Sequence, residues 1–360
     1  GNPVGKGQGR ASTGWCSFVL PLAEVRAWSP EDPFLYDLTI TLEREGQPLD
    51  RVESYFGLRS FGVSDGKVLL NGRPRFQRLV LDQGFYPDGI YTAPTDEALR
   101  RDIELSQAMG FNGARLHEKV FDPRLLYWAD RLGYLVWGEY PNWGLDHSHP
   151  LALERVLAEW PSVVERDYNH PSIIGWCPFN ETPTSQNPEL VRTVYRLTKA
   201  LDWTRPVIDT SGYVHVETDM WDVHDYAHGI TPEEFAARYD AFAKGEAPWR
   251  NFPKHEPEWA GQPYWVSEYG GIWWNPGQVG EEAWGYGDRP RSEAEFLARY
   301  RTLTEALLRN PRIWAFCYTQ LTDVEQEVNG LYYYDRSPKF SAETARQIRE
   351  ITSGKAAVEG

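Results

Sequence analysis

Cysteine is scarce and unpatterned in these 360 residues. Cys16, Cys177 and Cys317 give an odd number with no Cys-x-x-Cys spacing, which excludes a disulfide framework or a cysteine zinc site and leaves buried free thiols as the expectation. Basic charge is short too: 37 Lys and Arg stand against 52 Asp and Glu, a formal charge of −15. With no run of Lys and Arg to offset it, neither nucleic acid nor a membrane surface is an expected partner. Apolar stretches reach strand length but not the ~20 residues of a membrane span. The first ten residues lack the apolar segment of a signal peptide, so a cytoplasmic location is expected, with secretion left open. A phosphate-binding glycine turn is missing as well: Gly5-Lys6-Gly7-Gln8-Gly9 follows no strand and has the wrong spacing. No Gly-x-Ser-x-Gly or P-loop string occurs, and no cofactor is implied.

What is abundant is aromatic. The 16 Trp and 20 Tyr exceed what a core needs, and flat rings with polar edges suit the faces of sugars. With 41% hydrophobic and 25% charged residues, the composition is that of a folded globular protein, long enough for one large domain and one small one.

The chain divides by pattern. Residues 1–16 read as a flexible N-terminal segment. Residues 17–70 alternate strand-like runs (Ser17–Leu22, Leu35–Arg44, Val52–Phe61, Val68–Leu70) with turns at Glu45-Gly46 and Asp65-Gly66, as in a small, shortened β-sandwich. Beyond Asn71-Gly72, residues 71–355 alternate apolar strands with amphipathic helices. Eight strands are expected, at Phe76–Leu81, Asn112–Leu116, Tyr134–Glu139, Ile173–Phe179, Val207–Asp209, Trp221–Tyr226, Tyr264–Glu268 and Ile313–Tyr318. Thr95, Thr231 and Ser292 supply N-cap signals for helices between them. Eight strands with helices after most of them predict a (β/α)8 TIM barrel, an α/β fold.

In such barrels, polar residues ending apolar strands form the site. The fourth strand ends in Asn180-Glu181 and the seventh in Ser267-Glu268-Tyr269-Gly270-Gly271. A carboxylate beside a core costs several kcal/mol unless paired or solvated, and two of them three strands apart suggest glycosidic bond cleavage. One carboxyl protonates the leaving oxygen while the other attacks the anomeric carbon or activates water. Apolar Trp176 and Phe179 favour Glu181 as the acid. The hydroxyls of Ser267 and Tyr269 favour an ionised Glu268 as nucleophile, and the Asn180 amide suits a sugar 2-hydroxyl.

At these residues the chain resembles glycoside hydrolase family 2, the family of β-galactosidases, β-glucuronidases and β-mannosidases. The matching segments are Trp28-Ser29-Pro30 with Pro33-Phe34-Leu35-Tyr36, then Asn71-Gly72-Arg73-Pro74, then Asp102-Ile103 through Gly110-Phe111-Asn112 to Arg115-Leu116-His117. Asn169-His170-Pro171-Ser172-Ile173-Ile174 into Asn180-Glu181 and the segment around Glu268 complete them. The resemblance implies an immunoglobulin-like sandwich in residues 17–66, with the family's N-terminal jelly roll missing. It implies Glu181 as acid/base, Glu268 as nucleophile and Asn180 at the 2-hydroxyl. Tyr226 is implied as the aromatic hydroxyl beside the nucleophile, and Arg115 and His117 as supports of the sugar pocket. Asp82 and His224, at further strand ends, complete the expected polar set, with Trp273 and Trp274 standing in for a family Trp platform absent from Cys317-Tyr318-Thr319-Gln320. The family's Glu-x-His-Gly metal segment is not matched by Glu139-Tyr140-Pro141-Asn142, so no metal is expected. The Asn-x-Lys that reads a uronate carboxylate is absent from the sequence, which lowers the uronic-acid reading.

Weaker strings carry less. Asp323-Val324-Glu325-Gln326-Glu327 reads as a solvated rim rather than a calcium site, and His147-Ser148-His149 as a loop. The expectation is therefore a retaining exo-β-glycosidase, β-galactosidase first, then β-glucuronidase or β-mannosidase. An endo-acting glycanase and a non-catalytic carbohydrate-binding protein are the rivals. A saccharide is the expected partner, and self-association would cover barrel surface left bare by a lost domain.

Overall fold

The computed structural model describes residues 3–10, 16, 18–280 and 282–360. In chain order the elements are β1 (Tyr36–Arg44), β2 (Gln47–Phe56), β3 (Phe61–Ser64), β4 (Lys67–Leu70), β5 (Arg73–Pro74), β6 (Gln77–Asp82), α1 (Asp96–Ala108), β7 (Gly113–Leu116), α2 (Pro123–Leu132) and β8 (Leu135–Glu139). They continue with α3 (Pro150–Asp167), β9 (Ile173–Cys177), α4 (Pro188–Leu201), β10 (Trp221–Asp225), α5 (Pro232–Ala243), β11 (Tyr264–Gly270), α6 (Glu293–Leu308), β12 (Ile313–Thr319) and α7 (Ala342–Thr352).

The N-terminal part holds two small antiparallel sheets, which fit a remnant of an immunoglobulin-like sandwich. β1 pairs with β2, and β3, β4 and β5 form a second sheet. Glu45-Gly46, Asp65-Gly66 and Asn71-Gly72 all have both residues at positive φ, the turn that matches strand twist in a two-residue hairpin. The sheet therefore runs across Asn71-Gly72 before the barrel begins at Gln77. The expected strand Ser17–Leu22 is not formed: Ser17 lies outside the described residues, and 18–22 have no ladder, with Phe18 and Val19 exposed. Residues 1, 2 and 11–15 of the N-terminal segment also lie outside the described residues. Its residue Val4 accepts a backbone hydrogen bond from Ala23 at 2.8 Å.

Among the described residues, seven parallel strands follow the order β10-β11-β12-β6-β7-β8-β9. The eighth place is filled by residues 206–211, which meet β9 only through the Trp176–Val207 and Asn180–Ser211 bridges. The expected strand Val207–Asp209 is thus irregular. Pro206 has no N–H to donate, and Asp209 takes the backbone N–H groups of Val216 and Glu217. On the far side, Ser211 and Gly212 both donate to the Asp222 carboxylate instead of to a strand.

Residues on each strand alternate between two cores. Leu79, Leu135, Trp137, Ile174 and Trp265 form the barrel interior, continuous with Trp28 and Val68 of the N-terminal part. Val80, Val136, Val223 and Phe316 face the helix layer. The anticipated helix caps form, Thr231 as a reciprocal capping box with Glu234. Cys177 and Cys317 are buried as expected, whereas Cys16 is exposed. No helix of the described residues is long and apolar enough to cross a membrane. One tie between the two parts is Asp130 of α2: its carboxylate takes the Tyr55 hydroxyl and the Ser172 N–H, and its carbonyl takes the Trp28 indole N–H at 2.7 Å.

Trp137 and Trp265 stack inside the barrel at 5.5 Å, and the Trp137 indole donates to Gln77. Trp137→Ala leaves a cavity and an orphaned amide oxygen, and is expected to cost about 3–5 kcal/mol in urea unfolding. A loss under about 1 kcal/mol would contradict this packing.

Candidate active site

The strand alternation that builds the barrel interior also places charged groups above it. Glu139 lies in phase with inward Leu135 and Trp137, Arg115 with Gly113, and Asp222 and His224 out of phase with helix-facing Trp221 and Val223; all four are buried. Arg115 is the hub. Its Nε donates to Glu139 Oε1 (2.7 Å), its Nη1 to Glu268 Oε1 (3.0 Å) and to the Ser267 carbonyl (2.9 Å), and its Nη2 to Asn180 Oδ1 (3.0 Å). The Glu268 position depends on an irregularity: the β11–β12 register shifts between Val266 and Tyr269, so that Ser267 and Glu268 both engage groups at the mouth.

The other Glu268 oxygen accepts the Tyr226 hydroxyl at 2.5 Å, and that hydroxyl lies 3.0 Å from Thr319 Oγ1. Burial alone would push the Glu268 carboxyl up. The charges of His224, Arg115 and His117, with the Tyr226 hydrogen bond, bring it down to about 2. Glu139 is likewise held below the usual carboxylate range: Arg115 and His117 overcome its burial. His117 Nδ1 lies 3.4 Å from Glu139 Oε2, and despite its burial that carboxylate raises the imidazole.

Glu181 reaches the same place from the end of β9. Its backbone N–H donates to Ser211, and its φ is 50°, a left-handed conformation costly for a residue with a Cβ. Glu118 (52°), Tyr213 (57°) and Ala227 (55°) share that strain around the mouth. His224 Nδ1 is 2.7 Å from Glu181 Oε1 and 3.3 Å from Glu268 Oε2. One ligand-type atom from each of the three residues lies within 4.8 Å of the others. The His224–Glu181 hydrogen bond accounts for this close approach.

Asn180 is clamped by the Asn142 side chain, which takes its N–H at 2.6 Å and donates to its carbonyl at 2.9 Å. With its oxygen committed to Arg115, the buried Asn180 Nδ2 is a donor without a protein partner among the described residues.

Of the anticipated residues, Glu181, Glu268, Asn180, Tyr226, Arg115, His117 and His224 come together. Asp82 does not join them: it lies out of phase with inward Leu79 and Leu81, accepts the Gly84 N–H, and feels Asp102, Arg336 and Lys119. Gln83 takes the inward place and bonds Gln320 and Glu327. Trp274 packs in the helix layer, parallel to Phe340, and Trp273 lies against Gly285 and Arg289. The apolar setting expected for Glu181 is also absent. Trp176 points to the helix layer, where it meets Trp160 and donates to Asp202, and Phe179 packs on His147. The three acids of 323–327 separate, Asp323 pairing with buried Lys339 and Glu327 with Gln83 and Asn329.

Several site residues carry no signal in the sequence. Tyr286, in the loop after β11, stacks on Tyr226 with ring centroids 3.5 Å apart. Gly271 makes that possible: its φ is +52°, and a Cβ there would sit 2.3 Å from the Tyr286 ring. Tyr213, pushed up to about 12 by burial and by the charge of Glu181, stands beside the acid pair. Glu118 accepts the N–H groups of Asn142 and Trp143 through one oxygen, while the other is buried without a protein partner among the described residues. Burial pushes it up to about 7.

Because Glu118 titrates higher in the folded chain than in the unfolded one, its stabilisation is complete below about pH 4.5 and is lost as pH rises to about 7. Glu118→Gln should therefore gain stability over the parent across that window, by up to about 3 kcal/mol, with a constant difference above it. Thermal unfolding at pH 4.5, 6 and 8 checks this, and a difference that does not change with pH would contradict it.

Comparison with known proteins agrees with this geometry. The family model "Glycosyl hydrolases family 2, TIM barrel domain" matches residues 63–352, and "Glycosyl hydrolases family 2" matches residues 4–59. A Pseudoalteromonas haloplanktis protein named Beta-galactosidase is 26% identical over 94% of this chain and 33% of its own length. One of the same name from Vibrio cholerae is 30% identical over 52% of this chain and 19% of its own. The chain thus spans a third or less of these curated relatives. Among solved structures, a GH2 beta-galacturonidase from Eisenbergiella tayi gives a TM-score of 0.73 at 19% identity, covering 94% of this chain and 61% of that one. A beta-D-glucuronidase from Dictyoglomus thermophilum gives 0.76 at 20%, covering 93% and 60%. At these identities the likeness is one of fold. From its family matches, which cover both its small sheets and its barrel, the chain belongs to glycosyl hydrolase family 2.

Proposed function

We propose that this chain carries the catalytic barrel of a retaining exo-β-glycosidase, with a terminal β-galactoside as its first substrate. The observation behind the reading is the pair of carboxylates at the ends of β9 and β11, with oxygens within 4.8 Å of each other. Retaining enzymes hold their carboxyls about 5–5.5 Å apart, and inverting enzymes leave about 6.5–9.5 Å for a water.

Environment divides the roles. Glu268 is buried and kept ionised by Arg115, His224, His117 and Tyr226, as a nucleophile requires. Glu181 is the more exposed of the two side chains, at 17% against 5%, where a leaving group and then a water can reach it. In the first step Glu268 bonds to the anomeric carbon while Glu181 gives its proton to the departing oxygen. In the second, Glu181 takes a proton from water, whose oxygen displaces Glu268. The Asn180 Nδ2, which has no protein partner among the described residues, supports a role as donor to a sugar 2-hydroxyl, a contact that strengthens in the oxocarbenium-like transition state.

The preference for a neutral sugar rests on three points. The curated relatives above are named Beta-galactosidase. Asn-x-Lys is absent from the sequence. A further carboxylate, Glu327, lies close enough to feel Glu268, which disfavours an anionic uronate nearby.

Aryl β-galactoside, glucuronide, mannoside and glucoside assayed with the parent, Glu181→Gln and Glu268→Gln test the reading. Turnover should be highest on the galactoside. Glu181→Gln should lower it by about 10²–10⁴-fold, and Glu268→Gln should abolish it. Full activity in either variant, or no turnover of any sugar by the folded chain, would overturn it; activity on polysaccharide alone would favour an endo enzyme.

A further inference from the structure

His224 occupies an unusual socket. Its Nδ1 faces Glu181 Oε1 at 2.7 Å and Glu268 Oε2 at 3.3 Å, while Nε2 lies 3.0 Å from the Ser211 hydroxyl. Toward an ionised Glu181 the ring nitrogen Nδ1 acts as the donor, and Ser211 holds the other end of the ring. Asn251 fixes the backbone by taking the His224 N–H at 3.1 Å and donating to its carbonyl at 3.0 Å. The β10–β11 register shifts between Val223 and His224. Gly212, at φ +61°, leaves room for the ring where a Cβ would lie 2.5 Å from it. The groups facing His224 are Glu181 after β9, Tyr213 in the 206–213 segment, Asp222 through Ser211, Tyr226, and Glu268 on β11. Arg115 and His117 stand on the far side of Glu268.

The His224 Nδ1 is hydrogen-bonded to Glu181 Oε1, while Glu268 Oε2 lies only within ion-pair range of the same nitrogen. Building on the roles proposed above, we propose that His224 is a positioning residue that holds Glu181 through this bond and supports its anionic form once Glu268 becomes esterified. As the Glu268–anomeric carbon bond forms, the bond to the leaving oxygen breaks with its electron pair, and that oxygen takes the Glu181 proton. Glu268 is then a neutral ester and a poor acceptor, and Glu181 is a new anion 2.7 Å from the N–H. In the second step a water proton goes to Glu181, the water oxygen bonds to the anomeric carbon, and the ester bond breaks. Glu268 regains its charge. With Glu268 neutral in the intermediate, the His224 N–H supports the base form of Glu181 in the step that needs a base.

A dinitrophenyl glycoside of the preferred sugar tests this, because its leaving group needs no acid and hydrolysis of the glycosyl-enzyme limits kcat. His224→Leu should lower kcat by about tenfold, lower KM as the intermediate accumulates, and move the acidic limb of kcat to higher pH. Azide, which attacks without a base, should restore turnover, and His224→Asn, with an amide N–H near the same point, should recover most of the loss. Ser211→Ala, which frees the ring, should give a smaller shift in the same direction and serves where the leucine variant does not fold. An unchanged acidic limb in a folded variant, or equal losses in kcat and kcat/KM that azide does not relieve, would overturn the proposal. Failure of the underlying roles shows separately, as absence of azide rescue in Glu181→Ala with His224 intact.

Discussion

The structure of the mouth depends on one buried guanidinium. Arg115 joins groups from β7, β8, β9 and β11 through donors set in a planar fork, which a lysine could not imitate. Buried without partners, such a charge would be prohibitive. Here it is matched by Glu139 and Glu268, and both carboxylates are held ionised in return. The barrel interior below is largely apolar, so the charged groups depend on one another. Arg115, Glu139 and Glu268 are mutually paired, and that part of the arrangement is correspondingly rigid.

Strain gathers where that rigidity meets the opening. Glu118, Glu181, Tyr213 and Ala227 are non-glycine residues at positive φ, all around the mouth. Such conformations persist only where surroundings over-determine them, and the surroundings are visible. Asn142 brackets Asn180 as a strand would, Asn251 does the same for His224, and Ser211 ties the irregular 206–211 segment to Asp222. Side-chain amides replace ladder bonds where the strands have to release their ends to carry function.

Much of this was legible in the sequence because it follows from period. Apolar runs ending in Asn180-Glu181 and Ser267-Glu268 located strands and pointed to residues that come together at the mouth, and Gly-containing pairs located the hairpins. What was not legible depended on phase or on distance along the chain. Asp82 and Gln83 both end the same strand, and only the inward phase of Leu79 and Leu81 decides between them. Trp176 is adjacent in sequence to the strand end that carries Glu181 yet faces the helices. Tyr286 reaches Tyr226 from a loop, through a space that exists because residue 271 has no side chain. Val207–Asp209 is apolar enough for a strand, but Val207 gives its N–H to the Asp219 carboxylate, its carbonyl accepts the Asp219 N–H, and Pro206 has no N–H to give.

The measurement closest to the central claim is covalent trapping. A 2-deoxy-2-fluoro-β-galactoside with a dinitrophenolate leaving group destabilises both oxocarbenium-like transition states, yet its good leaving group lets the first step outpace the second. Mass spectrometry of the intact chain and of its peptides should then find one fluorosugar per chain, esterified to Glu268. Hydrolysis of the parent glycoside with no such adduct and with inversion at the anomeric carbon, or an adduct on another residue, would contradict it.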